Sequence, residues 1–187
     1  MLRLFVAINL PEKIKQELKN YQAEISDLPA KWVKPENLHL TLVFLGNQKE
    51  ENLGKIFEAI ERTTQKFQPF VLKITQACFA PPKMKVPRMV WVLLEKNKTL
   101  ENLFQDLIQN LTSANIPFLH EQGAFLPHVT LCRLRKWEFQ RMDPEFLPQV
   151  NKEFNFAFEV SSVELMESKL KRTGPEYFVL KGFPLKK

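Results

Sequence analysis

The sequence predicts an α+β fold: two pseudo-symmetric lobes of mainly antiparallel sheet, with helices outside and an active-site cleft between them. Three observations predict it. Along the 187 residues the order strand, helix, strand, helix or helix-like segment, strand runs through twice, a pattern repeat over about 1–86 and 87–187. A tetrapeptide His-x-Thr-Leu opens the middle strand of each round, HLTL at His39–Leu42 and HVTL at His128–Leu131. The chain is 44% hydrophobic, with 16 Phe against 5 Gly, and no stretch between the rounds has a linker's composition. One bilobal domain over 1–187 is expected.

The elements follow in order. RLFVAIN is rich in β-branched and aromatic residues and predicts a strand. Pro11 suits a first helical turn, and Ile14, Leu18, Tyr21 and Ile25 share one stripe of the helix that follows. SDLPAKWVKPEN predicts a loop. LHLTLVFLG predicts a strand that stops at Gly46. ENLGKIFEAIERTTQKF predicts a second amphipathic helix, and FVLKITQACFA a strand closed by Pro81 and Pro82. In the second round RMVWVLLE is a strand. LENLFQDLIQNLTSANI carries Leu100, Leu103, Leu107, Ile108 and Leu111 on one helical stripe. PHVTLCRL is a strand, and the segment around Pro144–Val150 is partly helical. FNFAFEVSSVELMES reads as one long strand and GPEYFVLKGFPL as the last.

Charge narrows the class. The formal net charge is +6 and the sequence pI about 9.3. Residues 1–94 hold most of the excess, with 14 basic against 9 acidic side chains. A basic surface favours an anionic partner such as nucleic acid or a phosphorylated small molecule; charge alone weighs this equally against lysines that only solubilise the fold. Cys78 and Cys132 make no CxxC and no disulfide framework, so a reducing cytoplasm is the expected compartment. The first residues lack the pattern of a signal peptide, and no run approaches the roughly 20 apolar residues of a membrane span. HxH, HExxH, GxSxG, Walker and GxGxxG motifs are all missing, so metal and nucleotide-cofactor sites are not expected.

The repeated tetrapeptide carries chemistry. Side chains alternate along a strand, so His39 and Thr41 share one face while Leu40 and Leu42 take the other. His128 and Thr130 pair in the same way. If a pseudo-two-fold axis relates the rounds, the faces meet and two imidazoles stand opposite each other with two hydroxyls beside them. Phosphoryl transfer without a metal needs one group to take the nucleophile's proton and another to protonate the leaving oxygen. Histidine titrates nearest neutrality, so a pair can hold opposite protonation states. Threonine hydroxyls can donate to non-bridging phosphate oxygens. One His-x-Thr in a strand is ordinary composition; two copies using two of the chain's three histidines are far from chance. Sequence symmetry leaves open which histidine is acid and which base.

LFVAINLP, WVKPENLHLTLVFLG, FLPHVTLCR and GPEYFVL resemble the RNA 2′,3′-cyclic phosphodiesterases of the 2H phosphoesterase superfamily, also called 2′-5′ RNA ligases. The resemblance spans the first strand to the last. It implies that His39 is the proton donor to the leaving 3′ oxygen of a terminal 2′,3′-cyclic phosphate, and that His128 is the proton acceptor that activates water. It implies that Thr41 and Thr130 bind the phosphate, that no metal or cofactor takes part, and that the product is a 2′-phosphomonoester. A side reaction joining such an end to a 5′ hydroxyl in a 2′-5′ linkage is also implied. The expected partner is RNA with a cyclic phosphate end, tRNA-like or other, met by a monomer. Two rivals stand beside this: a 2H enzyme for a small cyclic phosphate or a 2′-5′ oligonucleotide, and an RNA-binding module with little turnover.

Arg133 follows the second motif and is a further candidate substrate contact. Strict alternation puts it on the face opposite His128, so reaching the phosphate needs a bulge. Cys132 then shares the face of His128, as a small packing residue. His120 lies in a loop and is expected to be structural or exposed. Phe5, Phe44 and Phe125 flank the motif strands and are expected to pack in the core. Lys31, Lys34, Lys83, Lys85 and Arg88 are loop residues that can flank a basic cleft.

Overall fold

The computed structural model describes residues 1–82, 84–119, 125–171 and 174–186. The expected order holds: β1 (Leu2–Asn9), α1 (Glu12–Glu24), β2 (Ala30–Trp32), β3 (His39–Gln48), α2 (Leu53–Thr64), β4 (Phe70–Ala80), β5 (Met89–Leu94), α3 (Lys98–Ser113), β6 (His128–Leu134), α4 (Lys136–Gln140), β7 (Glu153–Val160), β8 (Ser162–Lys171) and β9 (Gly174–Pro184). The strands form one open sheet in the order β7-β4-β5-β6-β3-β1-β8-β9, with β2 on β6. Its pairings are antiparallel.

The helices cover one face. Ile14, Leu18 and Tyr21 of α1, Ile56 and Ile60 of α2, and Leu100, Leu103, Leu107 and Leu111 of α3 join Leu4, Val6, Ile8, Leu40 and Val129 in a single core. Burying apolar side chains of this size stabilises by roughly 1.5–3 kcal/mol each. Strand β1 is buried on both faces: Phe5 and Ala7 turn away from that core to pack with Met166 and Tyr177.

Three elements differ from the sequence reading. The loop before the first motif contains β2, which pairs through Ala30, Lys31 and Trp32 with Leu134, Arg133 and Cys132. Strand β3 does not stop at Gly46: the glycine takes φ 68° inside the strand, a conformation open to it because it lacks Cβ, and pairing continues to Gln48. The long strand FNFAFEVSSVELMES is two strands broken at Ser161. One pairs with β4 and the other with β1 and β9, towards opposite ends of the sheet. Strand exchange is mutual, since β4 pairs with β5 and β7 while β8 and β9 extend the sheet beyond β1. His120 and Lys83 lie outside the described residues. Among the described residues no helix is long and apolar enough to cross a membrane.

Candidate active site

The two halves of the sheet meet where the motifs lie. Among the described residues the pair Leu40↔Val129 alone joins β3 to β6. These are the x residues of the two His-x-Thr triplets, and both are fully buried in the core. Antiparallel register on either side of that pair sets His39 across from Thr130 and Thr41 across from His128. All four side chains therefore occupy the face away from the helices. The juxtaposition expected from a pseudo-two-fold axis is a property of one antiparallel seam.

Each imidazole is anchored through Nδ1. His39 Nδ1 lies 2.6 Å from the Asn37 carbonyl, and His128 Nδ1 lies 2.8 Å from the Leu126 carbonyl. A carbonyl only accepts, so both Nδ1 atoms carry hydrogen, and in a neutral ring the lone pair lies on Nε2. His39 Nε2 is 2.9 Å from Thr41 Oγ1. In the neutral ring that nitrogen accepts from the threonine hydroxyl.

The surroundings differ. His39 stands against Phe5 and Tyr177, with ring centroids 5.0 and 5.2 Å away. Burial among these rings lowers its pKa to about 4; the Asn37 carbonyl opposes this, and the charges of Lys15 and His128 add to it. That His128 acts electrostatically on His39 agrees with their placement across the seam. His128 is stacked on the Trp91 indole, centroids 3.7 Å apart and planes 18° from parallel, which fixes its ring plane.

Arg133 and Cys132 lie opposite to where strict alternation puts them. Between Val90 and Trp91 the β5–β6 register slips by one residue: Val90 pairs with Cys132 but Trp91 with Thr130. Leu131 is the extra residue of a bulge. Leu131 and Cys132 consequently both enter the core, and Arg133 emerges exposed on the side of His128. Cys132 is thus a core residue and does not share the histidine face; burial pushes its thiol up to about 12, which leaves it protonated and non-nucleophilic. The Tyr177 phenol places Arg133 near the site: burial pushes its pKa up, and the charges of Arg133 and Arg3 pull it back.

The same slip occurs in β3. Val6 pairs with Val43 but Ala7 with Thr41, which makes Leu42 the extra residue. Leu42 and Val43 both enter the core, and Phe44 comes out on the histidine face, 54% exposed and 6.2 Å from Phe5. The leucine shared by both tetrapeptides is thus the bulge residue of each strand. Phe44 and Arg133 are equivalent positions that the bulges turn towards the site. Phe5 lies on that face too, buried in its small cluster, whereas Phe125 stacks on Phe104 beside the main core. Of the basic loop residues, Lys31 lies in β2 directly across from Arg133.

The β6 bulge has a partner in α1. The Leu131 carbonyl accepts from Val33 N at 2.9 Å and from Gln22 Nε2 at 3.0 Å, and Gln22 Nε2 also reaches the Val33 carbonyl at 2.9 Å. Gln22 is buried. Gln22→Ala removes the side-chain donor from both carbonyls, leaving Leu131 with its Val33 N partner, and is expected to lower unfolding free energy by roughly 1–3 kcal/mol. Urea unfolding measures it, and an unchanged midpoint would mean that Gln22 does not support the bulge.

Solved structures share this architecture, among them one described as a phosphoesterase, with a TM-score of 0.79 at 25% identity over 100% of this chain and 99% of that one. TT0787 of Thermus thermophilus matches with a TM-score of 0.83 at 28% identity, over 99% of this chain and 98% of that one. E. coli LigT, solved with 3′-AMP, matches with a TM-score of 0.80 at 26% identity, over 100% and 99%. The family model for LigT-like phosphoesterases matches residues 8–91, which include the first motif. The chain belongs to the LigT-like phosphoesterase family. A relative from Archaeoglobus fulgidus, 33% identical over 97% of this chain and 99% of its own length, is an RNA 2′,3′-cyclic phosphodiesterase. One from Thermotoga maritima, 30% identical over 96% and 93%, bears the same name.

Proposed function

We propose that the protein hydrolyses RNA 2′,3′-cyclic phosphate ends to 2′-phosphomonoesters, using His39 and His128 as the acid–base pair. The observation that carries this is the Leu40↔Val129 seam, which puts two His/Thr pairs on one open face. His128 Nε2 takes a proton from water as its oxygen attacks phosphorus. The bond from phosphorus to O3′ breaks, and His39 Nε2 delivers a proton to O3′. One water is consumed and the phosphate stays on O2′. Thr41 and Thr130 donate to the non-bridging oxygens, and Arg133 offsets the charge that builds on them. The two imidazoles supply both proton transfers, so no metal is required. With a 5′ hydroxyl in place of water, the same steps yield a 2′-5′ linkage.

RNA is the substrate that the surroundings favour. Phe44 offers an exposed ring on which a base can stack, Arg133 and Lys31 lie together across the β2–β6 pair, and the similar proteins from A. fulgidus and T. maritima carry RNA in their names. The test is an RNA ending in a 2′,3′-cyclic phosphate, incubated with the protein in EDTA. A 2′-phosphate end is expected. A 3′-phosphate end, or no reaction on RNA beside turnover of a small cyclic phosphate, overturns the proposal.

A further inference from the structure

We propose that Asn37 is a positioning residue, which ties the backbone anchor of His39 to the β8–β9 hairpin and so fixes the imidazole tautomer. The proposal rests on the two-histidine reading only in treating His39 as catalytic; the tautomer is observable in any case.

The carbonyl that holds His39 Nδ1 belongs to Asn37, the last residue of a three-residue 3-10 turn, Pro35–Asn37. No strand ladder orients that carbonyl, because β3 begins at His39. The turn's own bonds are short-range, from Asn37 N to the Lys34 carbonyl at 2.9 Å and from Leu38 N to the Pro35 carbonyl at 3.1 Å. A turn this short is weakly held by itself. Two side chains tie the turn to distant elements: Lys15 Nζ of α1 reaches the Glu36 carbonyl at 3.5 Å, and Asn37 Nδ2 donates to the Pro175 carbonyl of β9 at 3.1 Å, a shorter bond spanning 138 positions of sequence. Asn37 is only 9% exposed, so an alternative bond to water is largely denied to it.

The same hairpin touches His39 a second time. Tyr177, two residues beyond Pro175, meets the imidazole edge-on at 85° and Phe5 at 70°. Gly174 brings the hairpin against β2, where an added Cβ would lie 3.4 Å from Lys31 Cε. The hairpin thus holds His39 from two sides, through the Pro175–Asn37 carbonyl relay at Nδ1 and through Tyr177 at the ring. His128 is anchored differently, by the carbonyl of Leu126, whose side chain is apolar and 41% exposed. The motifs are alike, and Asn37 makes their settings unlike.

A neutral imidazole in water prefers hydrogen on Nε2. Acid–base work at Nε2 needs the hydrogen pinned on Nδ1, and a misplaced tautomer is costly in histidine catalysis. Asn37→Ala frees the turn from β9. The carbonyl that holds Nδ1 remains but loses its tie, and kcat is expected to fall roughly 10- to 100-fold, the range that outer partners of metal-bound histidines supply, with KM changed less than about twofold. Nitrogen-15 NMR of the His39 ring is expected to move from the Nδ1–H pattern towards Nε2–H. Asn37→Ser, which keeps a small polar side chain in the turn but cannot span to Pro175, is expected to do the same and serves if the alanine variant does not fold. Pro175→Ala retains the accepting carbonyl and is expected to retain the Nδ1–H tautomer. A wild-type tautomer in folded Asn37→Ala or Asn37→Ser overturns the proposal. A shifted tautomer supports it, even if the wild-type protein proves inactive on cyclic phosphate RNA, in which case only the substrate reading falls.

Discussion

His39→Ala and His128→Ala each lose roughly 10²- to 10⁴-fold in turnover of a cyclic phosphate RNA end, the range that general acid–base catalysis supplies. On the proposed mechanism the loss falls on kcat, because each ring would act on a proton in transit while the hydroxyls and the Arg133 guanidinium stay in place for the phosphate. The fold survives both changes. The strand cores on which the motifs sit are built from Leu40, Leu42, Val43, Val129, Leu131 and Cys132, none of which is altered. Circular dichroism therefore stays near wild type, and urea unfolding shifts mainly for His39→Ala, which loses a ring packed on Phe5 and Tyr177, while single-turnover kinetics collapse in both. The double variant is little slower than either single one, since acid and base work as a unit on one displacement. A single variant that retains near-normal turnover removes the two-histidine mechanism. Equal losses are not required: with Nδ1 pinned to carbonyls on both sides, buffer imidazole has room to replace the half-buried His128 ring more readily than His39, which is enclosed by Phe5 and Tyr177.

Much of this site is legible in the sequence because its signal is local. Strand alternation pairs His39 with Thr41 and His128 with Thr130, and the doubled element order supplies the reason for the pairs to meet. What the sequence conceals is set by distant partners. Alternation past Thr130 fails because a bulge at Leu131 inverts the faces, and that bulge is held by Gln22, 109 positions away. Arg133 and Cys132 exchange places in consequence, and in β3 the matching bulge brings Phe44 out of the core where a phenylalanine is expected to be. The one legible trace of both bulges is the leucine that recurs at the fourth position of HxTL, since it is the extra residue in each strand. Strand β2 escapes notice because three residues carry too little periodicity, and the break at Ser161 because only two serines separate Val160 from the apolar run that resumes at Val163. Asn37 gives no signal at all, since Pro175 is its partner only in three dimensions.

Binding of a phosphate-bearing ligand takes up close to one proton near neutral pH, and that proton goes to His39. In the free protein burial against Phe5 and Tyr177 lowers the His39 pKa from 6.5 to about 4, so the ring is neutral at pH 7 and its Nε2 accepts from Thr41 at 2.9 Å. A proton donor must carry a proton on that atom. An anionic phosphate between the motifs supplies the missing stabilisation: it pairs with an imidazolium, excludes water and raises the pKa. Protonation also releases Thr41, whose hydroxyl no longer donates to Nε2 and turns to the phosphate. One event therefore arms the acid and frees the hydroxyl. Two measurements check it. NMR titration of the ring is expected to find His39 well below the ordinary histidine range without ligand and above it with a 2′-phosphate product. Calorimetry in buffers of different ionisation enthalpy is expected to show proton uptake at pH 7. The folded state reports the same shift with a definite sign: with the pKa lowered from 6.5 to about 4, the unfolded chain binds the extra proton between those values. Stability from this site is complete above pH 6.5 and declines as pH falls towards 4. The limb that His39 contributes to kcat/KM belongs to the free protein and lies at low pH, while its limb in kcat, set in the complex, lies higher. A ring that titrates at the ordinary histidine value with and without ligand, or binding without proton uptake, would leave His39 unable to be armed by its substrate and would move the donor role elsewhere.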